Sequence, residues 1–495
     1  MLFAEVVATS ERVAGAAARR AKITELAALL TSLAPNEVEA TVGFLTGRAR
    51  QGRIGIGWAT LGAAPAGVAG EPQLTVGDVD ASLSRLCGLS GAGSRGARAA
   101  ELASLFGRAT AAEDDFLRRL LIGEIRQGAL DGVMTDAVAT AAAVPPGAVR
   151  RAVMLSGHLG RTAALALARG ERGLAAVGLA VLRPLKPMLA STAVNVESAI
   201  AAGGLSSVEW KLDGARVQAH RQGKEVRLFT RSLRDVTQQL PAVVDLMRSL
   251  PVTAVVLDGE LVGLREDKAP EVFQDTMSRL SLGDVHARFF DCLHLDGVDL
   301  VDLPLTDRMA ALERAAGPWR VPAILTDDPA AGAAFLATAL ARGHEGVMVK
   351  TATSRYEAGR RGKAWRKVKP VRTLDLVVLG AEWGHGRRRG WLSNLHLGAR
   401  DATGEFVMVG KTFKGLTDEL LRWQTEVFQR LKRGEDGHVV FIRPEVVVEI
   451  AIDGVQRSTR YAGGVALRFA RVRRYRDDKT PEEADTIDAV RAMLA

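Results

Sequence analysis

Cysteine is almost missing from this chain: there are two in 495 residues, Cys87 and Cys292, far apart and each in apolar surroundings. Two thiols allow neither a disulfide framework nor a four-cysteine zinc site, and they suit a reducing compartment. Long apolar runs are missing as well. The longest, around Gly173 to Leu182, is far too short to cross a bilayer. The first twenty residues, MLFAEVVATSERVAGAAARR, are broken by acidic and basic side chains within a few positions, so they lack the uninterrupted apolar core of a signal peptide. Internal repeats and low-complexity tracts are absent too. A cytoplasmic protein with no membrane segment is the expectation.

What is present sets the scale. A chain of 495 residues is too long for one hydrophobic core, so two to four domains are expected. With 47% apolar and 25% charged residues it reads as globular. A net charge of +9 and a pI near 9.8 favour a polyanionic partner such as nucleic acid. The texture changes twice along the chain. Up to about residue 175, alanine, leucine and arginine recur at helical spacing, as in RAKITELAALLTSLAP. After RPLKPMLA, whose two prolines oppose a continuing helix, runs such as AVVLDGELVG and EGVMVK alternate with turns, which predicts mixed strands and helices over 183–369. Beyond Pro370, LDLVVLGAEWG, EFVMVGKTF, EVVVEIAI and VALRFARVRRY are strand-like runs separated by glycine turns, as a small barrel over 370–495 needs.

Within the middle part, EWKLDGARVQAH alternates charged and apolar residues. Read as a strand, it puts Glu209, Lys211 and Asp213 on one face and Trp210 and Leu212 on the other. Alone, such a triplet reads as a solvated face with an ion pair. Four further stretches place charge as oddly. LDGEL sets Glu260 after an apolar run and a turn. GHEGVMVK sets Glu345 and Lys350 at the two ends of a buried strand. WRKVKP puts Lys367 and Lys369 on one face with Val368 opposite, and RVRRYRDDK closes the last strand in a basic cluster.

Taken together and in this order, these stretches resemble the covalent nucleotidyltransferases and, within them, the ATP-dependent DNA ligases. KLDGAR looks like the lysine signature K-x-D-G-x-R of that superfamily, and FTRSLRDVT, LDGEL, FFDCLHLDG, HEGVMVK, WRKVKP and RYRDDK look like its other motifs. The resemblance spans about Pro184 to Asp485, and more weakly the helical first third. One departure is Ala470, which stands where many relatives carry proline.

The resemblance implies an all-α N-terminal DNA-binding domain (1–175), an α+β adenylation domain (183–369) and a C-terminal OB-fold β-barrel (370–495). It implies sealing of nicks between 3′-OH and 5′-phosphate ends through lysyl-AMP and DNA-adenylate, by a monomer that encircles nicked duplex DNA. Lys211 would be the nucleophile toward the α-phosphorus of ATP, its amine made neutral by burial and by nearby cations, Arg216, Lys367, Lys369 and a divalent metal. Glu260 and Glu345 would hold Mg²⁺, with Mn²⁺ as an alternative, beside the ATP phosphates. Glu209 would meet the adenine side, Arg216 and Arg231 the ribose and phosphates, and Arg361 another part of the nucleotide. Phe290 would stack on the base, although an aromatic there could equally fill a sheet interior. Arg476 and Lys479 would clamp the β- and γ-phosphates from the barrel, which requires a hinge between Pro370 and Asp375.

DNA contacts are expected over all three parts. From Ser354 to Lys369 seven basic residues (Arg355, Arg360, Arg361, Lys363, Arg366, Lys367 and Lys369) face one acidic residue, Glu357. The loops Gly384 to Trp391, Gly47 to Gly55 and Gly123 to Gly132 combine glycine with arginine, as phosphate-binding turns or as ordinary connections. Among rivals, a capping guanylyltransferase needs no helical first third, HEGVMVK followed by RDDK looks more like the DNA enzymes than like a capping enzyme or an RNA ligase, a non-catalytic DNA scaffold would tolerate loss of motif residues that are all present, and an NAD-dependent ligase needs four zinc-binding cysteines.

Overall fold

Between Phe3 and Ala175 the helical periodicity folds into ten helices among the described residues, the structure being a computed structural model that describes residues 1–52, 54–91, 93–125, 131–263, 285–357 and 361–494, without the side chains of Arg361 and Arg387. Local chemistry sets several starts. Thr75 with Asp78 and Thr110 with Glu113 form reciprocal capping boxes, and Pro146 opens the ninth helix. Phe3 lies at the centre of the core, edge-on to Phe44 and Phe116 at 5.7 and 5.6 Å.

The middle part holds two five-stranded sheets. The first is built from β1 (Leu189–Thr192), β2 (Ser206–Lys211), β8 (Ala323–Thr326), β9 (Gly346–Thr351) and β10 (Arg361–Val368), in the order β1-β10-β9-β2-β8. The second holds β3 (Ala215–Gln222), β4 (Glu225–Thr230), β5 (Ala254–Val262), β6 (His286–Leu295) and β7 (Val298–Asp299), in the order β4-β3-β5-β6-β7. Only Leu212, Asp213 and Gly214 join β2 of the first sheet to β3 of the second. Lys211 therefore ends the first sheet where Arg216 starts the second, and the seam between them holds the motif residues. Met154 and Leu155 of the helical part share a core with Leu185, Met188, Tyr356 and Trp365, so the first two parts pack as one body. The connecting strand is pinned from below: Gln218 bonds both backbone groups of Leu185, and buried His220 accepts the amide of Leu182.

The last part is a curled antiparallel sheet: β11 (Arg372–Trp383), β12 (Leu392–Arg400), β13 (Phe406–Thr412), β14 (Lys432–Asp436), β15 (Val439–Ile442), β16 (Val447–Ile452) and β19 (Arg471–Tyr475), with the small pair β17 (Gly454–Arg457) and β18 (Val465–Arg468). The long β11 pairs in turn with β12, β15 and β16. Closure comes where Thr412 donates its hydroxyl to the Ala470 carbonyl at 2.6 Å and the Val472 amide bonds Lys414 at 2.9 Å. Ala470, the departure from proline, thus sits inside the closing seam. The expected hinge is shorter than the sequence suggests. Arg372 to Asp375 already pair with Ile452 to Glu449 of β16, leaving only residues 369–371 outside the strands. Among the described residues no helix is long and apolar enough to cross a membrane.

Candidate active site

Two glycines decide how the site closes. In the β2/β9 ladder Lys211 stands opposite Gly346, which has a φ of +148°. A Cβ there would run into the carbonyl oxygen of Val368, so only glycine lets β9 start this close to the end of β10. That approach brings the preceding residue, Glu345, onto Lys211: its Oε2 and the lysine Nζ form an ion pair with both side chains about four-fifths buried. At Gly214 a Cβ would strike the carbonyl of Leu261, so the start of β3 is pressed against β5 and Glu260 comes up beside the lysine loop.

Glu260 faces Arg216 across the β3/β5 ladder, but the guanidinium is already taken. Its Nε and Nη2 grip the two oxygens of buried Asp258 at 2.9 and 2.5 Å, its Nη1 donates to the Met188 carbonyl at 2.8 Å, and Tyr356 donates to Asp258 at 2.6 Å. Burial works against the charge of Arg216, and Asp258 more than offsets it, so the guanidinium is held firmly protonated. Burial pushes the Glu260 carboxyl up to about 7, against the pull of Arg216 and Lys211. Asp213 is raised as well, by burial and then by Glu345, with Arg468 and Lys211 opposing. Glu345, Glu260 and Asp213 thus lie around one lysine, and burial raises two of them, Glu260 and Asp213.

Lys350 is buried, with Nζ 2.6 Å from Glu209 Oε2, 3.0 Å from the Phe290 carbonyl and 4.6 and 4.3 Å from the Phe290 and Trp365 ring centres. Ser207 donates to the other oxygen of Glu209 at 2.9 Å. Glu209, expected at the adenine, therefore has both oxygens engaged, and Lys350, to which no role was given, is its fixed partner. Half-buried Phe290 lies at the rim of the Tyr356 and Trp365 core, edge-on to Trp365 at 6.0 Å with the Arg216 guanidinium 5.2 Å above its ring. Lys367 stands on β10 opposite Met348, half-buried. Arg361 begins β10, and its side chain lies outside the described residues.

Three expected nucleotide contacts are not brought to Lys211. Arg231 is exposed in the turn after β4, which Leu233 swings toward the helical part at Gly157. Arg231 lines a cleft of about 1180 Å³ there with Arg48, Arg161 and Lys186. Arg476 and Lys479 both lie on Asp375 Oδ2 at 2.8 Å, and the Arg476 fork also takes Asp478. The barrel meets the seam with another face. Asp453 holds Lys369 at 2.6 Å and Arg471 at 3.0 Å, and Arg468 reaches Asp213 at 3.4 Å. Next to Arg468, Phe469 is 60% exposed in a left-handed backbone with φ of +53°. The basic run from Ser354 to Lys369 is not one surface track. Arg355 and Lys363 are exposed, whereas Arg366 is buried against the carbonyls of Ala199 and Ala202 and Lys369 is bound to Asp453; residues 358–360 lie outside the description. In the Gly47 to Gly55 turn Arg50 pairs with Asp80, and residues 126–130, half of the Gly123 to Gly132 stretch, fall outside the described residues.

Three family models match the chain: "DNA ligase N terminus" over residues 60–139, "ATP dependent DNA ligase domain" over 187–369 and "ATP dependent DNA ligase C terminal region" over 388–479. A protein of Rhodococcus jostii (strain RHA1) named "Probable DNA ligase" is 56% identical over 501 aligned positions, covering 100% of both chains. One of the same name from Saccharopolyspora erythraea is also 56% identical, over 100% of this chain and 98% of its own length. The solved structure named Pmar-Lig_PreS3 shares the fold across 95% of this chain and 99% of its own, at a TM-score of 0.63 and 18% identity.

Proposed function

The chain belongs to the ATP-dependent DNA ligase family and is an enzyme that uses ATP to seal nicks in DNA; on that premise we propose that Lys211 carries the AMP and that the carboxyl cluster at the sheet seam serves the transfer. The observation that carries this reading is the contact of Lys211 Nζ with Glu345 beside Glu260 and Asp213.

In the first step the neutral amine of Lys211 forms a bond to the α-phosphorus of ATP while the bond to pyrophosphate breaks, and its electron pair leaves with pyrophosphate. The proton lost from Nζ passes to Glu345, the carboxylate in contact with it. Arg216, locked by Asp258, Tyr356 and Met188, presents a charge that cannot swing away, which lowers the reorganisation needed at the phosphates. Lys350 and Phe290 form the base side, with Glu209 keeping Lys350 in place. In the second step an oxygen of the 5′-phosphate takes the AMP and returns the electron pair to Lys211. In the third the 3′-hydroxyl attacks that 5′-phosphorus and AMP departs.

Glu260 and Glu345 fit a hard divalent ion such as Mg²⁺ or Mn²⁺: they are oxygen donors, and a cation at Glu260 would offset the burial that pushes its carboxyl up to about 7. Among the described residues no three His, Cys, Asp or Glu side chains form a ready cage, which suits an ion that keeps waters and phosphates as ligands. When bound, the ion neutralises charge on the phosphates.

The barrel position fits the later steps. Arg468 on Asp213 and exposed Phe469 beside it put a cation and an aromatic surface next to the lysine loop, where the two sides of a nick would lie. The cleft with Arg48, Arg161, Lys186 and Arg231 extends a basic surface toward the helical part, so one monomer can wrap the duplex from three sides. Supplying the 5′-adenylated nick tests the division of steps. Lys211→Ala should seal it within about tenfold of the wild-type rate while losing sealing of an ordinary nick altogether. Sealing of the ordinary nick by Lys211→Ala overturns the assignment.

A further inference from the structure

Arg476 and Lys479, the two barrel cations read above as clamps for the outer phosphates of ATP, share one acceptor, and the Nε and Nη2 of Arg476 also donate to Asp478 at 2.8 and 2.7 Å. Asp375 Oδ2 receives Arg476 Nη1 and Lys479 Nζ, each at 2.8 Å, and the Asp375 and Arg476 side chains are only 13% and 14% exposed. Asp375 cannot drift. Its amide donates to Asp485 Oδ2 at 2.7 Å, its carbonyl accepts from the Asp485 amide at 2.8 Å, and it pairs with Glu449 in the β11/β16 ladder. Its second oxygen, Oδ1, is buried with no hydrogen-bond partner. Asp375 also lies only four residues beyond the end of the short link 369–371, at the foot of the barrel.

A carboxylate oxygen that meets one guanidinium nitrogen of Arg476 and the Lys479 ammonium together, while Asp478 takes the remaining edge of the guanidinium, offers the two cations what an oxygen of a terminal phosphate would offer. In the same barrel position the opposite face is on the seam, through Asp453 with Lys369 and Arg468 with Asp213. We propose that Asp375 is a positioning residue that occupies Arg476 and Lys479 while the barrel's other face is on the site, so that Asp375 and the β- and γ-phosphates of ATP compete for the same two cations. The proposal rests on the reading that Arg476 and Lys479 bind those phosphates. Loading ATP then exchanges one anion for another at the two cations, and loss of pyrophosphate returns them to Asp375 as the barrel turns to face DNA. A ligand shifts such an equilibrium only by its differential affinity for the two positions, and removing the internal competitor raises the share of the ATP-ready one.

The test uses the full chain with Asp375→Asn, which removes the charge and keeps the shape, beside Asp375→Glu, which restores the charge. The expected result is a split. With Asn, the KM for ATP in self-adenylation falls by about fivefold, while single-turnover sealing of a 5′-adenylated nick slows by a similar factor; with Glu, both return toward wild type. Should the Asn variant fail to fold, Asp375→Ser reads the same split. An unchanged KM with unchanged sealing overturns the proposal, and so does parallel loss of both activities, the mark of a merely structural residue. Arg476→Ala with Lys479→Ala separates the two ideas. If that variant self-adenylates normally, the phosphate-clamp reading has failed; if it loses self-adenylation while Asp375→Asn shows no split, the competition alone has failed.

Discussion

Glu260 shows how one buried carboxyl links stability to chemistry. Its value is about 7 in the folded chain, above that of an exposed glutamate, because burial penalises the ionised form. The raised value means that its contribution to stability is present below the ordinary glutamate range and is lost as pH rises through about 7. Glu260→Gln is neutral at every pH. It should therefore stabilise the metal-free protein relative to wild type by about 2 to 3 kcal/mol at pH 8 and hardly at all at pH 4, while self-adenylation is lost. Thermal melts at both pH values check this, and added Mg²⁺ should raise the melting temperature of the wild type more than that of the variant. Equal melting temperatures of the two proteins at pH 8 would contradict it. Among single residues, those with motif spacing were legible: Lys211, Glu345 and Glu260 were singled out and lie together. Lys350 stands out in the sequence only as the end of a buried strand and Asp258 not at all, because nothing in a period-two pattern tells a buried ion pair from a solvated face. Their roles come from partners distant in sequence, Glu209 and Arg216.

The elements show a similar division. Alternation and turns mark the helical first third, the mixed middle and the strand-rich end, and all three textures correspond to observed structure. What alternation cannot convey is how closely two strands approach, and at Gly346 that distance sets the site. A Cβ there meets the Val368 carbonyl, so Gly346→Ala must push β9 away from β10 or twist its first residue out of the left-handed region. The variant should lose about 1 to 3 kcal/mol of stability. Because Glu345 is the residue displaced from Lys211, self-adenylation should slow by more than tenfold under conditions where the variant is still folded. A variant that adenylates at the wild-type rate would show that the position of Glu345 does not depend on this approach. The turn after β4 is the opposite case. FTRSLRDVT was read as lining the nucleotide, but the positive φ of Leu233, at 67°, sends Arg231 toward the helical part, and no residue type in the motif announces that turn.

For the whole molecule, the orientation of the barrel is the feature furthest from the sequence. RYRDDK specifies two cations, but the face of the barrel that meets the seam does so through ion pairs between distant segments, Lys369 with Asp453 and Asp213 with Arg468, while Arg476 and Lys479 pair within the barrel with Asp375. Each partner of such a pair looks like an ordinary surface charge until the fold brings it to the other. A second barrel position, as proposed above, would let residues expected on ATP stand away from the site in this one and serve it in the other. The helical part is less free to move, since Met154 and Leu155 are embedded in the core they share with Tyr356 and Trp365 and the link to β1 is bonded to Gln218 and His220. Every part of this account depends on Lys211 being the atom that carries AMP between ATP and DNA. The most direct test is to load the full chain with α-labelled ATP and Mg²⁺, map the label by peptide analysis and chase it with nicked duplex DNA. The account predicts label on Lys211 alone, none from labelled NAD, and its transfer to the 5′-phosphate and then to free AMP as the nick is sealed. Label on any other residue, or sealing of the nick while Lys211 stays unlabelled, would contradict it.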